Sequence, residues 1–160
     1  MKVTEGKKIY FASDNHLGIP DSRSSLIREK KFVIWIDTIK FYAHSIYLLG
    51  DLFDFWFEYK TVVPKGFTRV LGKIAEIADS GIPIYFFTGN HDMWVRDYFQ
   101  LELGVKVITE PQQFKINEKS FFIGHGDGLG PGDTSYKLMK KFITGNKFFT
   151  DGDAHYSKWF

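Results

Sequence analysis

Short apolar runs alternate along this chain with longer amphipathic stretches, and each of the main runs ends in a loop that carries Asp, His or Asn beside Gly. The runs 8–13, 45–49, 83–88 and 120–124 are rich in Ile, Tyr and Phe and read as buried strands. Residues 25–43 lie between the first two. There Leu26, Ile27, Val33, Ile34 and Ile36 fit one helical face, with Trp35 beside it. Residues 67–79 lie between the second and third. Val70, Leu71, Ile74, Ile77 and Ala78 keep the same spacing, and Gly81 and Pro83 end the helix. Such alternation predicts β-α-β units and a mostly parallel sheet, an α/β fold of stacked mixed sheets flanked by helices. Smaller strands are expected at 105–108 and 114–116, with Glu118-Lys119 as a turn, and a last helix at 136–143.

In a parallel α/β sheet the carboxyl ends of the strands share one edge, where ligands bind. Asp14-Asn15-His16 follows the first strand and Gly50-Asp51-Leu52-Phe53-Asp54 the second. Gly89-Asn90-His91-Asp92 follows the third and Gly124-His125-Gly126-Asp127 the fourth. One Asp-x-His is a weak signal, and a capped turn explains it as well. Four successive strand ends of this kind are a strong one. Gly lets backbone come close to a small ion. Carboxylate and amide oxygens mixed with imidazole suit Mn²⁺, Fe²⁺ or Zn²⁺. Two such ions about 3.5–4 Å apart, bridged by a carboxylate, clamp the attacking and leaving oxygens of a phosphoryl transfer.

Composition narrows the chemistry. The chain has 160 residues, 44% of them hydrophobic and 25% charged, enough for one compact domain and against disorder. With no Cys, disulfides, thiolate-bound zinc, iron–sulfur clusters and thiol catalysis are excluded. The apolar run 9–12 is too short for a signal peptide or a membrane span, so a cytoplasmic protein is the default. A net charge of +2 implies no nucleic-acid partner. Lys137, Lys140, Lys141 and Lys147 suit an anionic substrate or, equally, a solvated helix face.

These motifs resemble the calcineurin-like metallophosphoesterases, whose pattern is D-x-H, G-D-x-x-D, G-N-H-[DE], a lone His, then G-H-x-H. The match runs from residue 8 to about 145 and places the whole chain in a single domain, 1–160. The family fold is an α-β-β-α sandwich with mixed sheets. The wording Tyr47-Leu48-Leu49-Gly50-Asp51-Leu52-Phe53-Asp54-Phe55-Trp56-Phe57-Glu58, with Val63-Pro64-Lys65-Gly66 and His125-Gly126-Asp127-Gly128-Leu129-Gly130, is similar to that of the UDP-2,3-diacylglucosamine diphosphatases of lipid A biosynthesis, closest to their Bacteroidota branch. In that family water attacks the α-phosphorus of a UDP-sugar lipid, releasing UMP and 2,3-diacylglucosamine 1-phosphate (lipid X), with Mn²⁺ the usual ion. The resemblance implies Asp14 and His16 on a first metal, Asp51 as the bridge, and Asn90 and His125 on a second. His91 would lie over the phosphate, steadied by Asp92, and Asp133 would contact substrate. A lipid substrate implies attachment to the cytoplasmic face of the inner membrane.

The chain departs from the family after His125. No G-H-x-H follows, and the only later His, His155, reads as a surface residue. The expectation is a chain covering the N-terminal two-thirds of the family domain, its shells short of two imidazoles and its own activity low. Two other readings stay open: another metallophosphoesterase, acting on a phosphodiester or phosphoprotein, or a metal-poor binding module on the same frame. Around the site, Arg23 is a candidate phosphate contact in the loop 21–25. Asp54 reads as a group steadying a ligand or as a helix N-cap, and His44 as a polar helix cap. Of Phe55, Trp56 and Phe57, at least one is expected to be exposed.

Overall fold

The computed structural model describes residues 1–127. The elements run β1 (Lys8–Ala12), α1 (Ser22–Ile39), β2 (Ala43–Leu49), α2 (Thr68–Asp79), β3 (Ile84–Phe87), α3 (Tyr98–Leu101), β4 (Lys106–Ile108), β5 (Gln112–Ile116) and β6 (Lys119–Ile123). Strands β1 to β4 form one parallel sheet in chain order, and β5 and β6 form a separate antiparallel pair. The expected helix at 136–143, the lysines around it, Asp133 and His155 lie outside the described residues.

The period-2 alternation of the strands builds the layers. Ile46, Leu48, Ile84 and Phe86 face α1 and α2 in the larger core. Tyr47 and Phe87 turn the other way and pack with Ile108, Ile116 and Ile123, so that the β5–β6 pair covers the second face of the sheet. The order is helices, parallel sheet, second sheet, in keeping with the expected mixed α/β sandwich.

Helix α1 begins at Asp21, whose carboxylate accepts the backbone N–H groups of Arg23 and Ser24. Its buried face is Ser25, Glu29, Phe32, Ile36 and Ile39, a helical stripe rotated from the one the sequence predicts. Ile27 and Ile34 are exposed instead. Two polar residues hold the stripe because each has a backbone partner: Ser25 Oγ accepts the Gly18 N–H, and Glu29 Oε1 accepts the N–H groups of Arg69 and Val70. These two donors belong to the first turn of α2, which has no side-chain cap of its own. Glu29 therefore caps a neighbouring helix, satisfying orphan donors and opposing the positive helix end.

Two further expectations are corrected. Residues 120–124 form part of the antiparallel second sheet, not a fourth parallel strand; the fourth place belongs to β4. A buried apolar run alone does not reveal its pairing direction. Helix α1 stops at Ile39, so His44 lies inside β2 rather than capping a helix, and its Nδ1 is buried without a hydrogen bond. The turn between β5 and β6 is made by Asn117 and Glu118, both at positive φ.

Candidate metal centre

The loops after β1, β2 and β3 meet at one edge of the parallel sheet, and His125 reaches the same edge from the end of β6. Asp51 is at the middle, with only 3% of its surface exposed. Its Oδ1 accepts the His91 backbone N–H at 3.0 Å. Its Oδ2 stands 3.7 Å from His16 Nε2 and 3.4 Å from His125 Nε2. His16 Nε2 is also 3.9 Å from Asp14 Oδ1. Asn90 Oδ1 lies 3.3 Å from His125 Nε2. The structure thus gathers Asp14, His16, Asp51, Asn90 and His125 around one shared carboxylate.

The local backbone is shaped for this. Asp14, His16 and Asp51 all adopt positive φ, a region that ordinary side chains rarely visit and that strained functional sites often contain. Two glycines permit close packing. A Cβ at Gly50 would fall 2.7 Å from the Gly89 backbone and from His125 Nδ1. One at Gly89 would fall 2.1 Å from Asp51 Oδ1. The Ser13 hydroxyl donates to Asp14 Oδ2, and Arg28 donates from one nitrogen to the carbonyls of His16 and Ile19.

Hydrogen bonds fix the imidazoles. His125 Nδ1 faces the Leu49 carbonyl at 2.6 Å, and His91 Nδ1 faces the Asp54 carbonyl at 2.7 Å. A carbonyl only accepts, so in each ring Nδ1 carries the proton and a neutral ring has its lone pair on Nε2. For His125 that lone pair points among the oxygens of Asp51 and Asn90. Such a set of donors, with no hydrogen among them, calls for a cation at its centre. Among the described residues two groups have ligand atoms within 4.8 Å of one another: Asp14, His16 and Asp51, and also His16, Asp54 and His91. The residues fit a divalent metal.

Asp92 is fully buried and has backbone partners rather than the His91 ring. Its Oδ2 accepts the Leu52 N–H at 3.0 Å and its Oδ1 the Gly89 N–H at 2.7 Å, tying the second loop to the third. Burial pushes its carboxyl up to about 6. What orients His91 is Asp54, through its carbonyl and through Oδ1 at 3.5 Å. Asp54 starts no helix, so the N-cap reading fails; its Oδ1 also stands 3.4 Å from His16 Nδ1.

A cleft of about 420 Å³ opens here, lined by Asp14, Asn15, His16, Ile19, Pro20, Arg28, Asp54 and His91. Arg23 is exposed in the first turn of α1 and is not part of this lining. Arg28, one turn further on, is the basic residue that lines it. Little in the sequence marks Arg28, because its neighbours Glu29, Lys30 and Lys31 make the stretch look like a solvated charge run. Phe55 is 58% exposed while Trp56 is fully buried, as three adjacent rings require.

Residues 7–159 match the family model of the calcineurin-like phosphoesterases. The chain belongs to that family. Members of this metallophosphoesterase family work with divalent metals, and the cluster around Asp51 is where this chain can hold them. Among curated proteins it is 47% identical over 120 residues to a UDP-2,3-diacylglucosamine hydrolase of Porphyromonas gingivalis, covering 75% of this chain and 46% of that protein. It is 33% identical over 140 residues to the protein of the same name from Histophilus somni, covering 86% of this chain and 56% of the relative. The chain therefore spans about half the length of the curated relatives it matches. A solved structure of an Aquifex aeolicus protein of unknown function covers 89% of this chain and 73% of its own at 17% identity and a TM-score of 0.44. Among the described residues no helix is long and apolar enough to cross a membrane.

Proposed function

We propose that this chain carries the metal centre of a UDP-2,3-diacylglucosamine hydrolase. The reaction is hydrolysis of the pyrophosphate of UDP-2,3-diacylglucosamine by water attack on the α-phosphorus, giving UMP and 2,3-diacylglucosamine 1-phosphate. The observation that carries the reading is the shared Asp51 carboxylate, with His16 Nε2 and His125 Nε2 aimed at the same oxygen. The 47% identical relative of that name supports the choice of substrate. Asp14, His16 and Asp51 would hold one divalent ion, and Asp51, Asn90 and His125 a second, with Mn²⁺ the preferred metal. When bound, such ions lower the pKa of an attached water toward about 7 and offset the negative charge of the phosphate.

The chain's own residues do the rest. Asp51 is held on one oxygen by the His91 N–H, and its other oxygen faces His16 and His125. Asn90 and His125 present an amide oxygen and a lone pair side by side. His91 is held by its Nδ1–H and lines the cleft, where its Nε2 stabilises charge or gives a proton to the leaving group once protonated. Asp92 positions both loops through Leu52 and Gly89. Arg28 and Arg23 offer positive charge at and beside the cleft, and Asp133 is assigned a substrate contact. The exposed Phe55 suits an acyl chain, and a lipid substrate of this kind supports a position at the cytoplasmic face of the inner membrane.

The test is direct. The purified chain is supplied with Mn²⁺ and either UDP-2,3-diacylglucosamine or a simple aryl phosphodiester, and UMP or aryl alcohol is measured. UMP release that requires the metal supports the reading. Cleavage of the aryl ester alone assigns a different phosphoesterase activity. No bound Mn²⁺ at millimolar concentration favours a binding module on the same frame.

A further inference from the structure

Glu58 is a carboxylate buried to 3% exposure in an aromatic core, and none of the roles above uses it. Its Oε1 accepts the indole N–H of Trp56 at 2.9 Å. Its Oε2 accepts the backbone N–H groups of Asp97 at 3.0 Å and Tyr98 at 3.2 Å, at the start of α3. Among the described residues it forms no ion pair, so its charge is held by these N–H dipoles. An apolar residue here would leave all three N–H groups without an acceptor. What a carboxylate alone provides is two acceptor oxygens on one rigid plane; Gln has one acceptor and one donor group.

The three N–H groups belong to two segments. Residues 54–58 follow the bridging Asp51, and residues 91–98 begin at His91. They run side by side, joined by Trp56 N–H to the His91 carbonyl at 3.3 Å and Glu58 N–H to the Trp94 carbonyl at 3.4 Å. Phe57 and Trp94 form an isolated parallel bridge between the two bonds. Those backbone bonds are long, and the bonds to the Glu58 carboxylate are shorter and charge-assisted, hence the stronger fastening. At the other end of this ladder the His91 ring reaches the Asp54 carbonyl.

We infer that Glu58 is a positioning residue for His91, clasping residues 91–98 against residues 54–58 so that the imidazole is fixed against Asp54 and beside His16. This rests on the role given to His91 above, and the two stand or fall by different measurements. In the wild-type chain, the amides of Asp97 and Tyr98 exchange with solvent as slowly as the β3 core amides. Free exchange of both overturns the clasp without any variant. In E58Q an amide NH₂ meets an N–H donor on one side, and one side of the clasp opens. Histidine-ring ¹⁵N NMR then shows the His91 Nδ1–H signal shifted or broadened, with His44 unmoved. An unmoved His91 signal in folded E58Q overturns the inference. If hydrolysis is observed, E58Q lowers kcat about 10- to 100-fold with KM held within about twofold. That loss shrinks to under about twofold in an H91A background, whereas an equal loss there assigns Glu58 a purely structural part. Absence of hydrolysis in every form counts against the proposed activity and leaves the ring signal to decide this point.

Discussion

Gly89→Ala is the substitution whose effect the geometry defines most sharply. The added Cβ would stand 2.1 Å from Asp51 Oδ1 and 2.7 Å from the Asp51 backbone nitrogen, where ordinary contact begins near 3.4 Å. The gap between the second and third loops has to open by roughly 1 Å or more to admit a methyl, at a cost of about 1–3 kcal/mol for overpacking. Against a total stability of about 5–15 kcal/mol the chain still folds. Metal–ligand distances tolerate only about 0.2 Å, so the Asp51 carboxylate leaves the position proposed for it as a ligand. Mn²⁺ affinity, read by isothermal titration calorimetry, falls at least about 10- to 100-fold, the scale seen when a group that steadies a ligand is lost. Gly72→Ala is the matched control. It lies in α2 with nothing within 4 Å of the added Cβ, and it stabilises the chain by about 0.5–1 kcal/mol without touching Mn²⁺ affinity. Wild-type Mn²⁺ affinity in folded Gly89→Ala would refute the reasoning.

Other expectations follow from named contacts. Asp51→Ala removes the shared carboxylate and the acceptor of the His91 N–H, so UMP release and Mn²⁺ binding are both lost; full activity in this variant contradicts the two-metal assignment. Glu29→Ala leaves the α2 donors of Arg69 and Val70 unsatisfied, costing about 1–3 kcal/mol. Thermal unfolding should shift down by several degrees while Mn²⁺ affinity holds. On the α1–α2 surface, Asp37 and Glu76 share Lys40 and Lys73. Hydrogen bonds from Lys40 to Asp37 and from Lys73 to Glu76 hold both carboxyls below their ordinary values. Lowered folded-state values mean a contribution present at neutral pH and lost as pH falls through the carboxylate range. The difference in melting temperature between wild type and Lys73→Gln therefore shrinks on acidification and in high salt; a difference that grows on acidification contradicts the assignment.

Much of this arrangement is legible in the residues because backbone and side-chain signals agree. The strands ending at Ala12, Leu49 and Phe87 are short apolar runs followed within two residues by Gly, Asp, Asn or His, so run and loop mark nearly the same boundary. What stays hidden involves partners far away in sequence. Ser25 and Glu29 define the buried face of α1 only because the Gly18 N–H and the first turn of α2 meet them, and hydropathy spacing gives polar residues no such credit. Arg28 and Glu58 hold backbone atoms in other loops in the same way. His125 reaches the rim although its strand pairs in the other sheet, because Leu49 and Asn90 meet its ring from the first sheet. The role of Asp92 also depends on a remote donor, the Leu52 N–H, together with the nearby Gly89 N–H.

Anomalous diffraction from a crystal grown with Mn²⁺ tests the convergence of these loops on divalent cations most directly. The account predicts manganese peaks on both sides of the Asp51 carboxylate, one beside Asp14 and His16 and the other beside Asn90 and His125. Featureless density at that edge of the sheet, under saturating manganese, would contradict it.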